Sequence, residues 1–299
     1  MKIIECVPNF SEGRDRKKGE ALVEAAAAVR AVKVLDFCMD GDHHRSVLTF
    51  IGPAGAVKEA CLAVCLKAIE IIDMSTHTGV HPRIGAVDVV PFVPLGDADL
   101  ADATRIALDF GRDYSRQAQV PVYFYGEAAR APWKRELSQI RKGGYETLKG
   151  RLKDPLWRPD AGPARFNACT GATAVGARFP LIAFNINLKS DDLPLAQEIA
   201  RSIRQSNGGF PHVKAIGLLL QSRRVAQVSM NLTDYRVTSL RTVFDGVREA
   251  AGRRDTDILE SELIGLIPEA ALANVTADYL KLKDFSDKKI LESHFESFA

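Results

Sequence analysis

The sequence predicts an α+β protein of two similar modules, because the same order of strand and helix patterns occurs twice along its 299 residues. Short apolar runs that alternate or are continuous indicate strands, and apolar residues spaced by three and four indicate helices. A hydrophobic content of 46% is enough for two cores, given ~150 residues per domain. Each module is therefore expected to fold around a core of its own.

In the first module, Leu22, Val23, Ala26 and Val29 mark one face of a helix over about 15–30. Pro53 is expected at the start of a second helix, where its missing N–H costs nothing. A third helix is expected at 98–118. Strands are predicted at 2–7, 32–37, 46–51, 86–93 and 121–125. A basic segment of weaker periodicity then runs from Trp133 to Trp157.

The second module repeats the pattern. Helices are expected over 193–205 and 238–251 and from Pro268 onward, and strands over 181–187, 213–220, 225–232 and 262–267. The repeated order is β-α-β-β-α-β, the order of the split βαβ, or ferredoxin-like, plait. Two such subdomains joined near 160–180 would leave a cleft between them, which is a common place for a small-molecule site.

Composition narrows the function classes. The net charge is only +2, and no run of Lys and Arg is interleaved with aromatic residues, so nucleic acid is not an expected partner. The five cysteines, at positions 6, 38, 61, 65 and 169, form no CxxC pair. We expect free thiols in a reducing, cytoplasmic setting. No signal peptide and no apolar stretch of ~18 residues is found, so no membrane span is expected.

The most informative stretch is 74–92, which leads from an Ala-rich helix into a Val-rich strand. It holds His77, His81 and Arg83, with Pro82 stiffening the turn. Loops carried on rigid flanks are where chemistry is usually placed. Histidine is the side chain best suited to exchange protons near neutral pH. His81 is therefore the first candidate for a catalytic acid or base.

Metal binding is the alternative for these histidines. His77 and His81 are four residues apart, but Gly79 and Pro82 argue against a helix and the HExxH glutamate is missing. We expect no metal there, and we interpret His77 as a loop histidine bonded to backbone. The turn at 40–45 (DGDHHR) could also bind a metal through its aspartate and histidine side chains, although such a run is more often a solvated turn.

A second informative stretch, 162–178, is rich in small residues. It has neither the GxxxxGK[ST] pattern of a P-loop nor the GxGxxG fingerprint of dinucleotide sites. Small residues before a strand let a flat ligand approach the backbone closely. An ordinary connection between domains is the competing interpretation.

Several long strings resemble one family. They are ECVPNFSEG at 5–13, HPRIGA at 81–86, VYFYGEAAR at 122–130, LIAFNINL at 181–188 and AQVSMNL at 226–232. The sequence resembles the glutamate formimidoyltransferases, which also form the front part of the bifunctional formimidoyltransferase-cyclodeaminases. The likeness runs from residue 2 to at least 270. No room remains for a cyclodeaminase domain, so a stand-alone transferase is expected.

The resemblance implies an N-terminal subdomain at 1–178, a C-terminal subdomain at 179–299, and tetrahydrofolate bound between them. It implies that His81 is catalytic and that the protein is a homodimer. No metal is expected, because a protonated amidine is already an electrophile. The folate-contacting segment would comprise Gly162, Pro163, Ala164, Arg165, Phe166, Asn167, Ala168, Cys169, Thr170 and Gly171. Animal members resemble FVPSWG where this chain has FNACTG, so one aromatic residue is missing here.

The implied reaction transfers the formimidoyl group between N-formimidoyl-L-glutamate and N5 of tetrahydrofolate, in histidine degradation. Both substrates carry carboxylates, so Arg45 and Arg83 are candidates to bind them, although Arg83 could equally be a structural salt-bridge partner. Asp40 or Asp42 would orient His81 or bind the amidinium. Two alternatives stay open: a relative that transfers a formyl group or metabolises 5-formyl-tetrahydrofolate, and a non-catalytic folate-binding module.

Overall fold

The computed structural model describes residues 2–298, and its backbone divides into two compact units, Met1–Arg178 and Phe179–Ala299. Each unit has its own sheet and its own hydrophobic core. The described residues form eleven strands and seven α-helices. The predicted α+β class is confirmed.

The first unit contains seven strands: β1 (Lys2–Cys6), β2 (Asn9–Phe10), β3 (Lys33–Asp40), β4 (Arg45–Gly52), β5 (Val87–Gly96), β6 (Val122–Gly126) and β7 (Thr173–Ala177). Strands β1 and β2 lie one after the other between β4 and β5, and both pair antiparallel with each of them. β3 pairs antiparallel with the far side of β4. Beyond β5 the sheet continues in parallel pairing, first with β7 and then with β6.

Five helices accompany this sheet: α1 (Arg16–Ala27), α2 (Ala54–Ile71), α3 (Leu100–Ala118), α4 (Leu137–Ile140) and α5 (Gly144–Arg151). The first three pack their apolar sides into the main core. Their starts follow from the sequence, because Asp15 caps α1 and Asp99 forms a capping box with Asp102 in α3. α4 and α5 supply Leu137, Ile140 and Leu148 to a separate, smaller core.

The second unit contains β8 (Ile182–Leu188), α6 (Leu193–Ile203), β9 (Val213–Leu220), β10 (Val225–Leu232), α7 (Leu240–Gly252) and β11 (Ile258–Ile264). Its sheet has the order β11-β8-β10-β9 and is antiparallel throughout. Alternate residues of the strands and the apolar sides of α6 and α7 form its core. None of the helices described in the two units is long and apolar enough to cross a bilayer.

The sequence missed or misplaced several elements. β2 lies in a stretch interpreted as a polar loop, and β7 lies in the small-residue stretch 162–178. The last strand begins at Ile258 and not at 262. The helix expected from Pro268 is only a 3-10 turn, Glu269–Leu272, because its last amides bond to carbonyls three residues back, as from Ala273 to Ala270.

Candidate functional site

The His81 loop joins a 3-10 turn, Met74–Thr76, to β5. The Met74 amide donates to the Cys169 carbonyl at 2.9 Å, and Ile84 is fully buried. These two anchors fix both ends of the loop, so the residues between them project from a rigid base.

The ring of His81 is half-buried, and its Nδ1 faces two groups with opposite requirements. Arg45 Nη1 lies 2.9 Å from Nδ1, and the Pro82 carbonyl oxygen also lies 2.9 Å from it. A guanidinium only donates and a carbonyl only accepts. Arg45 therefore favours the tautomer with its proton on Nε2, whereas Pro82 favours the one with its proton on Nδ1. Among the described side chains, which are those of residues 2–295, none is hydrogen-bonded to Nε2, so this nitrogen is available to a substrate.

The pKa of His81 is held well below 6.5, first by burial, and then by the charges of Arg45 and Arg141 and by His43. The hydrogen bond to the Pro82 carbonyl opposes these effects but is weaker. The imidazole is therefore neutral at pH 7 and gives up an acquired proton readily.

Asp88 is the carboxylate around which the site is arranged. It lies on β5 with its side chain 1% exposed. Its oxygens accept from Arg45 Nη1 at 3.1 Å, from Arg141 Nε at 3.4 Å and Nη2, and from the Ile84 amide at 3.0 Å. One buried carboxylate thus accepts hydrogen bonds from two guanidiniums and from the backbone of the His81 loop.

Asn9 fixes Arg45 from the other side. Its Oδ1 accepts from Arg45 Nε at 3.0 Å and from Nη2, while its own Nδ2 donates to the Val7 carbonyl at 2.7 Å. Burial, followed by the charge of Arg141, lowers the pKa of Arg45 to about 10 in spite of Asp88, so Arg45 stays charged.

Sequence reasoning missed Asn9, Asp88 and Arg141. A charged residue inside the apolar run 86–93 was a usable signal for Asp88. Asn9 stood in a stretch interpreted only as a polar loop. Arg141 follows a four-residue helix that has too little periodicity to be predicted.

Arg83, the other guanidinium singled out in the sequence, points elsewhere. It bonds to both carboxylate oxygens of Glu146, at 2.7 and 3.2 Å, and donates through Nε to His77 Nδ1 at 3.1 Å. His77 Nε2 lies 2.8 Å from the His44 carbonyl oxygen, as expected of a loop histidine bonded to backbone. The rings of His77 and His44 stack with centroids 4.1 Å apart. This group holds the base of the loop together.

Asp40 is the last residue of β3, and Asp42 lies in the turn between β3 and β4, beside the His81 loop. Asp40 accepts from the His43 amide at 2.8 Å, and the His43 ring lies 5.7 Å from the ring of His81. Asp40 Oδ2 also lies 3.7 Å from His43 Nδ1, so Asp40 contacts the ring that is next to His81. The Asp42 carbonyl accepts from the Val80 amide at 3.4 Å, which ties the turn to the loop. Among the residues described, no three His, Cys, Asp or Glu side chains are grouped to hold a metal ion.

The segment 162–171 lies directly against the base of the His81 loop. The Ala86 amide donates to the Thr170 carbonyl at 2.9 Å, and the Ala172 amide donates to the Ile84 carbonyl at 3.0 Å. Gly85 and Gly171 pair between these bonds. A Cβ on Gly85 would lie 2.2 Å from the Ala172 carbonyl oxygen, so only glycine permits this approach.

Most side chains of the segment are exposed, whereas its backbone is fixed. Tyr145 Oη donates to the Ala168 carbonyl at 2.6 Å, and the ring of Phe166 lies 5.6 Å from that of Tyr145. Cys169 is exposed, and the charge of Asp73 raises the pKa of its thiol. A rigid backbone with exposed side chains, next to a histidine, can accommodate a flat ligand.

Comparison with known proteins identifies the family. Residues 3–178 match the formiminotransferase domain, N-terminal subdomain, and residues 183–294 match the formiminotransferase domain. The chain is 42% identical to a glutamate formimidoyltransferase of Thermoplasma acidophilum, with 100% of this chain and 99% of that protein covered. It is 40% identical to the enzyme of the same name from Streptococcus pyogenes serotype M1, with 98% of each covered.

A bifunctional relative matches as well. The formimidoyltransferase-cyclodeaminase of Mus musculus is 40% identical over 93% of this chain, which spans 52% of that protein. These matches confirm the resemblance drawn from the sequence strings. The chain belongs to the formiminotransferase family.

Proposed function

We propose that the protein is a glutamate formimidoyltransferase, which moves the formimidoyl group between N-formimidoyl-L-glutamate and N5 of tetrahydrofolate in histidine degradation. Two relatives that match almost end to end carry this enzyme's name. The observation in the site that carries the proposal is a neutral, half-buried His81 whose Nε2 is open and whose Nδ1 is supported in either tautomer.

The chemistry needs one group that accepts a proton and returns it. N5 attacks the amidine carbon, a C–N bond forms, and a tetrahedral centre results. N5 must then lose its proton, and the glutamate nitrogen must gain one before its bond to carbon breaks. A histidine that takes up a proton on Nε2 and gives it back can do both, and general acid-base help is worth roughly 10²–10⁴-fold.

The contacts of His81 suit both proton transfers, the one from N5 and the one to the glutamate nitrogen. With its proton on Nδ1 and donated to Pro82, the ring presents the lone pair of Nε2 as a base. Once Nε2 is protonated, the ring is a cation beside Arg45, which repels it. The proton is therefore held weakly and passes readily to the leaving nitrogen. Holding the two substrates in position can contribute a further ~7–11 kcal/mol.

The segment Gly162–Gly171 is proposed to contact the folate. Its fixed backbone and its bonds to the chain beside His81 support this role, because they hold a bound pterin at a set distance from the imidazole. Phe166 supplies an aromatic surface in the segment. In this proposal, tetrahydrofolate takes part as a co-substrate.

Each unit is proposed to be one formiminotransferase subdomain, 1–178 and 179–299, built on a ferredoxin-like plait. In the second unit, α6 and α7 follow the first and third strands along the chain, β8 and β10, and the order of strands in the sheet is β11-β8-β10-β9. Both features support this proposal. In the first unit, β3, β4, β1 and β5 stand in the matching order, and β7 and β6 are additions.

For the substrate carboxylates, Arg45 is the better placed of the two arginines predicted, since Arg83 is neutralised by Glu146. Asp40 is proposed to influence His81 through His43. Asp42 is proposed to act on the amidinium of the donor, because its turn is bonded to the loop.

The test is His81→Ala, assayed by absorbance for 5-formimidoyl-tetrahydrofolate with formimidoyl-glutamate and with formyl-glutamate as donors. Turnover on formimidoyl-glutamate should fall at least ~10²-fold because proton transfer is lost. The fold and folate binding should be nearly unchanged. His212→Asn, which alters an exposed imidazole in the second unit, is the control and should keep full activity. Wild-type turnover by the His81 variant, in an assay limited by chemistry, would contradict the assignment.

A further inference from the structure

The guanidiniums of Arg45 and Arg141 share one carboxylate, which leaves a positive charge uncompensated. Both are largely buried, with side chains 14% and 13% exposed, and both bond to Asp88 Oδ2. Among the residues the structure describes, no other Asp or Glu is hydrogen-bonded to either of them. Buried charges are normally paired, so a site with two cations and one anion favours an additional anion.

We propose that Arg45 and Arg141 together form the subsite that binds a carboxylate of the formimidoyl donor beside His81, with Asp88 holding the two guanidiniums in place. This inference rests on the proposed function. It adds Arg141, which neither the sequence patterns nor the family matches single out, and it explains why one aspartate lies between two arginines.

The hydrogen-bonding capacity of Arg141 supports the subsite. A guanidinium has five N–H donors, and Asp88 takes one on Nε and one on Nη2. Among the side chains that the structure describes, 2–295, the other donors of Arg141 have no hydrogen-bond partner. Arg45, in contrast, uses most of its donors on Asn9, His81 and Asp88. Arg141 therefore supplies the free fork that a carboxylate needs, and Arg45 links the subsite to the imidazole.

Two other buried cations of the first unit, Arg83 and Lys134, lack this excess charge. Arg83 is matched by Glu146, and Lys134 by Asp160 at 2.8 Å with both side chains 7% exposed. The Lys134–Asp160 pair also lies on the α4 side of the unit, so it provides a matched case of one buried cation with one buried anion.

A bound carboxylate would also change the state of His81. The groups that act on this ring are Arg45 from β4, Arg141 after α4, and His43 from the turn before β4, while Asp88 on β5 partly offsets the two arginines. Neutralising the excess charge removes a repulsion, so donor binding raises the pKa of His81. The ring is then a better proton acceptor with the donor bound than without it.

The test compares donors with the variant Arg141→Gln. Steady-state kinetics are measured with N-formimidoyl-L-glutamate and with its α-amide and γ-amide. In the wild type, one of the two amides should lose at least about tenfold in kcat/KM, the scale of one charge-assisted hydrogen bond. In Arg141→Gln, kcat/KM for the unmodified donor should fall by a similar factor, mainly through KM, and kcat/KM for that amide should change little. Equal losses on all three donors, or wild-type indifference to both amides, would overturn the proposal.

Two further variants separate binding from folding. Lys134→Gln breaks a buried pair of similar environment, and it should lower stability while leaving donor discrimination as in the wild type. Arg141→Lys keeps the charge and should restore part of the discrimination. If Lys134→Gln also abolishes discrimination, the effect of Arg141 is structural and the proposal fails.

A binding measurement keeps this proposal distinct from the proposed function. L-Glutamate, the product, is titrated calorimetrically into wild type and Arg141→Gln, and its affinity should fall at least about tenfold in the variant. An unchanged affinity would refute the subsite even in an active enzyme. Loss of affinity in a protein without turnover on any donor would support the subsite and refute the proposed reaction.

Discussion

Replacing Asp88 with Asn tests the network on which the site depends. Asn has nearly the same shape and can still accept from the Ile84 amide, but it removes the one negative charge between two buried guanidiniums. At an effective dielectric constant of about 20, a unit charge pair at 3.1 Å, the Arg45 Nη1–Asp88 Oδ2 distance, attracts by about 5 kcal/mol. Arg141, whose Nε lies 3.4 Å from Oδ1, contributes a second attraction of similar size.

Repulsion between the arginines and the desolvation of all three groups offset part of this sum. Removing one partner of a buried ion pair typically costs about 3–5 kcal/mol. With two cations left uncompensated, we expect the upper part of that range. For a chain of this size the loss corresponds to a fall in Tm of roughly 8–20 °C.

Thermal unfolding followed by circular dichroism at pH 7.5, together with urea titration, measures this loss. Asp109→Asn is the control, because its ion pair with Arg112 is exposed, with side chains 50% and 55% accessible, and is worth well under ~1 kcal/mol. A loss below ~1 kcal/mol for Asp88→Asn would refute the reasoning, since the two guanidiniums would then not depend on this carboxylate.

Two other predictions concern pH and the glycine contact. Burial is the main cause that lowers the pKa of both His81 and His77, so the unfolded chain, with histidine pKa near 6.5, binds protons more readily. The free energy of unfolding should fall as the pH drops below about 6.5, by up to ~1.4 kcal/mol per pH unit for each histidine. Urea midpoints measured at pH 7.5, 6.5 and 5.5 should fall less steeply for His81→Gln than for the wild type. The same dependence on pH in both proteins would contradict this. Gly85→Ala should destabilise the protein by ~1–3 kcal/mol in the same urea assay, because the added Cβ meets two backbone carbonyls. The control is Gly55→Ala, whose added Cβ has nothing within 4 Å, and it should be neutral or stabilising by up to ~1 kcal/mol.

Long, strongly patterned elements could be predicted from the sequence. β9 and β10 have the bounds that their apolar runs indicate, and α3 begins within two residues of its predicted start, where Asp99 caps it. These features depend on neighbours in the chain, so local reasoning suffices.

Features that depend on distant contacts could not be predicted. β7 is five small residues that resemble a linker, and it becomes a strand only because β5 and β6 flank it. His81 stood out because of its residue type, but Arg141, whose charge helps to lower the pKa of His81, comes from a segment 60 positions later, and only folding brings Arg141 to Asp88. Arg45 and Arg83 were equivalent by sequence, and their different surroundings separate them.

The contact of Gly85 with Gly171 has a consequence for how this chain can diverge. Because main-chain atoms alone set the spacing there, the register between the imidazole and the segment 162–171 does not depend on which side chains the segment carries. Exposed residues such as Ala164 and Ala168 can therefore be exchanged for bulkier ones without moving His81 relative to the backbone of the segment. If the proposed roles of the segment and of His81 hold, the two glycines allow the ligand preference to change while the position of the histidine is kept.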